Sequence, residues 1–114
     1  MKLTSKEMPP ETKRVRYFRD VRQTSDFLAD WDKLERSGKH DMTRIKEAMT
    51  LLALNDEPMS PEWKDHPLSG KFNGYRECHV KGDLLLLYEI RKKGSKIELV
   101  TFLRVCTHSE LFGR

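Results

Sequence analysis

The sequence predicts an α+β domain in which a hairpin of two helices packs on one face of a mainly antiparallel sheet. Two segments in the first half repeat apolar residues at helical spacing, and roughly the last forty residues contain three strand-like segments separated by short turns. The chain has 114 residues, of which 37% are hydrophobic, enough for the core of one domain. With a short strand before the helices, the element order is β-α-α-β-β-β, closed by a short C-terminal helix or turn.

The chain begins with a polar segment that has no pattern of folded structure. Residues 1–12 combine charged residues with the pair Pro9-Pro10 and have no apolar periodicity. We therefore predict a flexible lead-in there and a single domain over residues 13–114. The segment Arg14–Arg19 (RVRYFR) places apolar and aromatic residues on a basic background, which predicts the first short strand.

Two amphipathic helices are predicted next. The first is capped by Thr24 or Ser25 and ends at Gly38. Its apolar stripe consists of Phe27, Leu28, Trp31 and Leu34. The second follows Asp41, a good N-cap, and ends before Pro58. Its apolar face consists of Met42, Ile45, Ala48, Met49, Leu52 and Ala53.

The second half of the chain predicts a long loop followed by three strands. Residues 58–74 are punctuated by proline and glycine, and loops of this length tend to be functional. The three strands are Gly74–Lys81, Leu84–Ile90 and Ile97–Val105, with turns at Gly82-Asp83 and Lys93-Gly94-Ser95. The middle strand is a continuous apolar run, as expected for a central strand that is buried on both faces. A short helix or turn over Thr107–Phe112 closes the domain.

Composition and charge exclude several protein classes. No apolar run approaches the roughly 20 residues of a membrane span, and the N-terminus lacks the apolar region of a signal peptide. The two cysteines, Cys78 and Cys106, are too few for a disulfide scaffold and lack zinc spacing, which fits a cytoplasmic protein. The net charge of +4 permits binding to RNA, DNA or an acidic protein without selecting among them.

Polar residues converge at one side of the predicted sheet. Glu77 and His79 lie two residues apart on one strand and therefore on the same face, and Asp83 lies at the following turn. The loop before this strand and the end of the last strand add His66, Arg104 and His108. Because helices cover only one face of a small sheet, the other face can be an open, polar concavity. Each residue also has an ordinary structural role in a cross-strand pair, turn or cap, so it is the convergence that suggests a site.

The residue types in this group favour RNA cleavage. The sequence has no GxSxG, no HExxH, no phosphate-binding glycine loop and no cysteine pair at metal spacing, and Cys78 is predicted to be a buried structural thiol. RNA brings its own nucleophile, the 2′-hydroxyl. Histidine, with a reference pKa of about 6.5, is suited to the proton transfers of this reaction. Arginine, with a permanent charge and forked donors, is suited to the phosphate.

Three stretches of the sequence point to a family. They are DHPL-x-G at 65–70, GYR-x-x-HV-x-x-D at 74–83 and R-x-x-THSELFG at 104–113. With them the chain resembles, over about residues 14–113, the YafQ branch of the RelE toxin superfamily. The resemblance implies a RelE-like microbial RNase fold and a bacterial type II toxin that cleaves mRNA in the ribosomal A site. The implied partners are the 70S ribosome, mRNA and a cognate antitoxin, a small acidic ribbon-helix-helix protein similar to DinJ or RelB.

The same resemblance implies a set of acid-base residues and no metal or cofactor. His108 is expected to be the general acid, and Asp83 and His79 are candidates for the general base or for orienting the 2′-hydroxyl. His66 is expected to contact the phosphate or to share the proton transfer. The acid at Glu77 belongs to the same set, although the family usually has the shorter Asp at this position.

A second set of residues is expected to bind the RNA, and two of its members, Arg104 and Phe112, follow from the resemblance. Arg104 is expected to hold the scissile phosphate, and Phe112 to offer a face for stacking or positioning a base. Lys64 and Arg76 are expected to contact RNA or its phosphates. Leu84 departs from the aromatic residue that often follows Asp83 in the family, which can remove a packing or stacking contact.

Two other functions stay open on the sequence. One is a non-catalytic RNA- or ribosome-binding module of the same fold, held by a protein partner through its basic surface. The other is a metal site formed by His66, His79, Asp83 and His108, against which the lack of metal-ligand spacing argues. If the chain is a toxin, we expect the antitoxin segment that binds it to be acidic and helical and to lie against the basic face.

Overall fold

The computed structural model describes residues 19–54, 59–94 and 96–113, which form three helices and one five-stranded sheet. The strands are β1 (Asp20–Gln23), β2 (His66–Pro67), β3 (Arg76–Lys81), β4 (Leu84–Lys93) and β5 (Lys96–Thr107). The helices are α1 (Ser25–Ser37), α2 (Met42–Leu54) and α3 (His108–Phe112), and 3-10 turns lie at Pro61–Trp63 and Gly70–Phe72. The predicted α+β class is confirmed, with the two-residue strand β2 added to the predicted order. The predicted lead-in, residues 1–12, lies outside the described residues.

The strands of the sheet are ordered β1-β5-β4-β3-β2. β1 runs parallel to β5 and the other neighbouring pairs are antiparallel, which confirms a mainly antiparallel sheet. Most of the strand predicted at Arg14–Arg19 lies outside the described residues, and the described strand begins one residue later, at Asp20. All side chains of β1 are exposed, so this edge strand has no apolar alternation that could mark it in the sequence.

The helix boundaries follow the capping residues that the sequence predicted. The Thr24 hydroxyl accepts a hydrogen bond from Phe27 N at 3.0 Å, and Gly38 ends α1 in the left-handed conformation, with φ 68°. The Asp41 carboxylate accepts a hydrogen bond from Thr43 N at 3.0 Å at the start of α2. None of the described helices has the length and apolarity needed to cross a membrane.

The core lies between the two long helices and one face of the sheet. Along β4, Leu84, Leu86 and Tyr88 face the helices, whereas Leu85 and Leu87 are also buried but face the other side. The central strand is therefore covered on both faces, as its apolar run predicted. The other buried members of the core are Phe27, Leu34, Ile45, Ala48, Leu52, Trp63, Cys78, Val80, Val100, Phe102 and Val105.

One residue of the predicted α1 stripe is not part of the core. Phe27 and Leu34 are buried, but Leu28 is 51% exposed. Leu28 follows Phe27 directly, so its side chain lies about 100° further round the helix than the face that packs on the sheet. The prediction that Leu28 belongs to the buried stripe was wrong.

The predicted loop before β3 has more structure than proline and glycine suggested. Its first 3-10 turn buries Trp63 in the core, where the Arg44 guanidinium lies 3.7 Å from the centre of the indole ring. β2 then pairs antiparallel with β3, which places His66 opposite Glu77. This pairing makes His66 an edge residue of the sheet.

Three irregularities change the register of the sheet, one of them between Arg91 and Lys92 at the far end of β4. Phe102 pairs with Tyr88, but Arg104 pairs with Leu87, so Leu103 is an extra residue in β5. A similar shift occurs in β3 between His79 and Lys81. In each case, one residue bulges from the ladder and the following side chains change faces.

Candidate active site

One row of side chains crosses the sheet on the face opposite the core. The register pairs His66 with Glu77, Glu77 with Leu87, and Leu87 with Arg104. Directly opposed residues project from the same face, and neighbouring strands are about 4.8 Å apart, so the Cα atoms of Glu77 and Arg104 lie about 10 Å apart. We call this surface the site face: acid and histidine lie at one edge and arginine lies towards the other.

Two histidines converge on one oxygen of Glu77. The Oε2 atom of Glu77 is 3.1 Å from His66 Nε2 and 3.7 Å from His79 Nε2, and the ring centres are 5.9 Å apart. His66 Nδ1 lies 2.8 Å from the Lys64 carbonyl oxygen, which only accepts, so this nitrogen carries a proton. The contact between His66 Nε2 and Glu77 then needs a second proton, held by either partner. His66 Nε2 and the Glu77 carboxylate are thus arranged to share one hydrogen bond.

Glu77 is the most enclosed acid of the site. Its side chain is only 5% exposed, and its Oε1 atom is buried without a hydrogen-bond partner among the described residues. Burial of a carboxylate oxygen without a partner is costly, and such exceptions often mark function. The structure thus keeps the acid out of water and in contact with histidine.

The tail of the chain is anchored beside the β3–β4 turn. His108 N donates a hydrogen bond to the Asp83 carbonyl at 3.3 Å, which brings these two predicted site residues together through their main chains. Thr107 and Glu110 form a reciprocal capping box, with Thr107 N donating to Glu110 at 2.8 Å. The Thr107 amide and then the Lys33 ammonium lower the pKa of Glu110 to about 2. Helix α3 therefore begins at a fixed position, with His108 as its first residue.

The His108 imidazole packs against one aromatic ring, which in turn contacts a second. The His108 and Phe112 ring centres are 4.4 Å apart, and Phe72 meets Phe112 edge-on at 5.3 Å. The sequence analysis missed Phe72. The available signal was an aromatic residue inside a loop otherwise punctuated by small and polar residues.

Arg104 is held by an acid that the sequence analysis also missed. Its Nε and Nη2 atoms donate to the two carboxylate oxygens of Asp30, at 2.7 and 3.0 Å. This bidentate pair raises the pKa of the guanidinium further above its ordinary value, so the charge of Arg104 is permanent. Asp30 lies on α1 and reads in the sequence as one more solvated helix acid.

The two remaining predicted RNA-binding residues are placed differently. Lys64 is exposed and lines a pocket of about 480 Å³ together with His79 and Arg44, beside the cluster. Arg76 precedes Glu77 and so faces the opposite side of the sheet, where it contacts Asp65 at 3.3 Å. The structure does not bring Arg76 to the site face, and the expected role in RNA binding has no support from this placement.

A polar network on the other side of the sheet supports the loop that carries His66. The Tyr88 hydroxyl donates to Asp65 at 2.5 Å, and Arg76 contacts both groups. Because Asp65 directly precedes His66, this network fixes the backbone from which His66 reaches Glu77. It was not predicted, since Tyr88 reads as part of an apolar run.

The cysteines and the histidine cluster define which other chemistry the chain can support. Burial raises the pKa of the Cys78 thiol to about 12 and that of the Cys106 thiol to about 11, so both are neutral near pH 7 and are poor nucleophiles.

Among the described residues, His66, Glu77 and His79 offer ligand atoms within 4.8 Å of one another. Two histidines and a carboxylate are a ligand set that zinc and copper accept. Asp83 and His108, which completed the metal site considered from the sequence, are not part of this group.

Known proteins resemble the chain over almost all its described length. Residues 19–113 match a family described as bacterial toxin of type II toxin-antitoxin system, YafQ. The mRNA interferase toxin YafQ of Escherichia coli K12 is 39% identical over 95 residues, which cover 83% of this chain and 97% of that protein.

Solved structures agree with the sequence match. The chain is similar to YafQ in the E. coli DinJ-YafQ complex, with a TM-score of 0.71, 38% identity and coverage of 83% of this chain and 99% of that one. A metal-bound toxin from Helicobacter pylori gives a TM-score of 0.70 at 35% identity, with coverage of 82% and 99%. Fold, site motifs and family match agree, and the chain belongs to the YafQ family of bacterial type II toxin-antitoxin toxins.

Proposed function

We propose that this chain is an mRNA interferase, an endoribonuclease that cleaves mRNA in the ribosomal A site and thereby inhibits translation. The observation that carries the proposal is the pair of histidines on one oxygen of buried Glu77, in the same row of the sheet as Arg104. The E. coli relative named mRNA interferase toxin YafQ supports the same substrate class. Ribosome dependence and the roles below are part of the proposal.

The reaction needs two proton transfers and one anion-binding group. The RNA 2′-hydroxyl loses its proton as its oxygen attacks the adjacent phosphorus, and the bond to the 5′ oxygen breaks as that oxygen gains a proton. His79 or Asp83 accepts the first proton or orients the 2′-hydroxyl, and His108 donates the second. Arg104 stabilises the negative charge that develops on the non-bridging oxygens. The products are a 2′,3′-cyclic phosphate and a free 5′-hydroxyl.

Glu77 supports the histidines in this scheme. Its buried carboxylate stabilises a positive charge on His66 or His79, so either imidazole can hold a proton close to the substrate phosphate. His66 also fixes its ring through the Lys64 carbonyl at 2.8 Å. His66 therefore contacts the phosphate or shares the proton transfer, and Phe112 positions a base next to His108.

The proposed reaction uses no metal. Histidines and an arginine supply every group that the steps require, although the H. pylori relative is described as metal-bound. We expect unchanged cleavage in a chelator selective for transition metals, with Mg²⁺ kept for the ribosomes. Cleavage that is lost in the chelator and restored by one added metal would contradict this part of the proposal and assign the ion to His66, Glu77 and His79.

The proposed partners are the ribosome with its mRNA and a cognate antitoxin. A relative forms a complex with DinJ, which supports a similar small protein here. The net charge of +4 is compatible with an acidic partner. We expect the chain to co-purify with a small acidic protein, and its harmless overproduction alone would count against a toxin.

The decisive experiment compares His108→Gln with the parent toxin. We expect the variant to fold and bind antitoxin but to cause no growth arrest and no new 5′ ends on translated message. His40→Gln, a change of the histidine outside the site, is the matched control and should cleave like the parent. Equal cleavage by His108→Gln would remove His108 from the mechanism. Ribosome binding without new 5′ ends in the parent would favour the non-catalytic binding module.

A further inference from the structure

The edge of β5 is paired with β1 over part of its length and contacts the start of α1 over the rest. β1 pairs with β5 as far as Gln23 opposite Phe102. Beyond that point the chain turns into α1, and the Thr24 hydroxyl donates to the Leu103 carbonyl at 2.8 Å. Six residues further along the chain, Asp30 accepts a hydrogen bond from Val105 N at 3.0 Å. A carboxylate thus takes the place that a strand carbonyl occupies elsewhere along this edge.

The same carboxylate also fixes the side chain of Arg104, the residue before Val105. Asp30 is only 13% exposed, and its two oxygens accept from Nε and Nη2 of Arg104, along one edge of the guanidinium. The outer edge, formed by Nη1 and the second proton of Nη2, is not used by Asp30. The guanidinium is therefore held in one plane with donors left for an anion.

We propose that Asp30 is a positioning residue that orients Arg104 for the scissile phosphate, an inference that rests on the proposed function. A long arginine side chain loses rotamer freedom when it binds phosphate, and Asp30 removes this freedom before the RNA arrives. Small displacements of a charge-stabilising group cost large factors in rate. Asp30 does not touch the substrate and acts through Arg104.

The test measures single-turnover cleavage of message on ribosomes by the full chain. Asp30→Asn keeps an oxygen for Val105 N but cannot offer acceptors to both guanidinium donors. We expect about a tenfold or greater loss of the cleavage rate with little change in ribosome affinity. Asp30→Glu, which keeps both oxygens on a longer arm, should recover part of the rate. The control is Asp32→Asn, in the same helix, whose partner is the surface residue Arg36.

A double-mutant cycle separates positioning from a purely structural role. If Asp30 acts through Arg104, then Asp30→Asn adds no further loss of cleavage in an Arg104→Ala background. A structural role predicts the same additional loss in both backgrounds, and that result would overturn the inference. Faster cleavage by Asp30→Asn would also overturn it, because Asp30 would then compete with the phosphate.

Failure of this inference can be told apart from failure of the proposed function. If Arg104→Ala cleaves like the parent, the phosphate-binding role of Arg104 itself is wrong. If Arg104→Ala is impaired but Asp30→Asn cleaves normally, only the positioning role is wrong. Antitoxin binding by each variant confirms folding, and if Asp30→Asn does not bind antitoxin, Asp30→Glu takes its place in the cycle.

Discussion

Two largely buried acids, Asp30 beside the edge of β5 and Glu77 on the site face, differ in their hydrogen-bond partners. Asp30, at the β5 edge, accepts hydrogen bonds on both oxygens from a permanently charged arginine and a backbone amide. Glu77, on β3, contacts two histidines through Oε2, while its Oε1 has no partner among the described residues. The first arrangement fixes a charge, whereas the second leaves one carboxylate oxygen shared by two imidazoles. In the proposed mechanism, the groups for proton transfer and the group for anion binding thus lie on different strands of the sheet.

The largest expected effect tests the proton-transfer half of this comparison. We expect Glu77→Gln to lower cleavage about 100-fold or more, because the amide cannot stabilise an imidazolium. Its free energy of unfolding should stay within about 1 kcal/mol of the parent or rise, since a buried carboxylate with an unpaired oxygen has been neutralised. Ribosome cleavage assays and denaturant titration measure the two effects. The control is Glu98→Gln, a change of an exposed acid on β5. Full cleavage by Glu77→Gln would refute the proposed role of Glu77 in proton transfer.

A smaller effect is expected from a change in the loop that packs against α3, the C-terminal helix carrying His108. Phe72, in the loop between β2 and β3, packs edge-on against Phe112, which in turn contacts the His108 ring. Aromatic pairs of this kind are worth about 0.5–1.5 kcal/mol beyond their burial. We expect Phe72→Leu to slow single-turnover cleavage about three- to tenfold without changing antitoxin binding. Cleavage at the parent rate would mean that α3 is positioned from the α1 side alone.

The smallest effect comes from that α1 side, where Lys33 contacts Glu110 at 2.9 Å. The pKa of Glu110 is lowered to about 2 from 4.5, so its stabilising contribution is present above pH 4.5 and is lost as the pH falls through about 2. Because Glu110 is partly exposed, solvent screens the pair, and Glu110→Gln should cost about 1 kcal/mol or less at neutral pH. Acid titration of stability checks the sign: the difference between parent and variant should shrink below pH 4.5. A difference that grows there would contradict it.

The sequence predicted the parts of the site whose signals are local. Alternation in β3 placed Glu77 and His79 on one face, and the caps and periodicity placed both long helices. The same alternation put Arg76 on the opposite face, and the structure agrees with that placement.

Residues that act across long sequence distances could not be predicted in this way. Asp30 contacts a residue 74 positions away, and its neighbours in α1 give no sign of that contact. Phe72 and Phe112 are likewise joined only by the folding of a loop onto the tail. Neither helical periodicity nor strand alternation encodes which surface residues of distant elements meet.

The extra residue in β5 determines the face of the sheet on which Arg104 lies. In an uninterrupted ladder, Arg104 would share its face with Val100 and Phe102, and a guanidinium would project among the apolar side chains beneath α1 and α2. Leu103 shifts the ladder by one step, so Val105 enters the interior and Arg104 emerges opposite Leu87. A single extra residue thus moves a cation out of the apolar interior, and deleting one residue there would exchange the buried and exposed side chains along the rest of the strand.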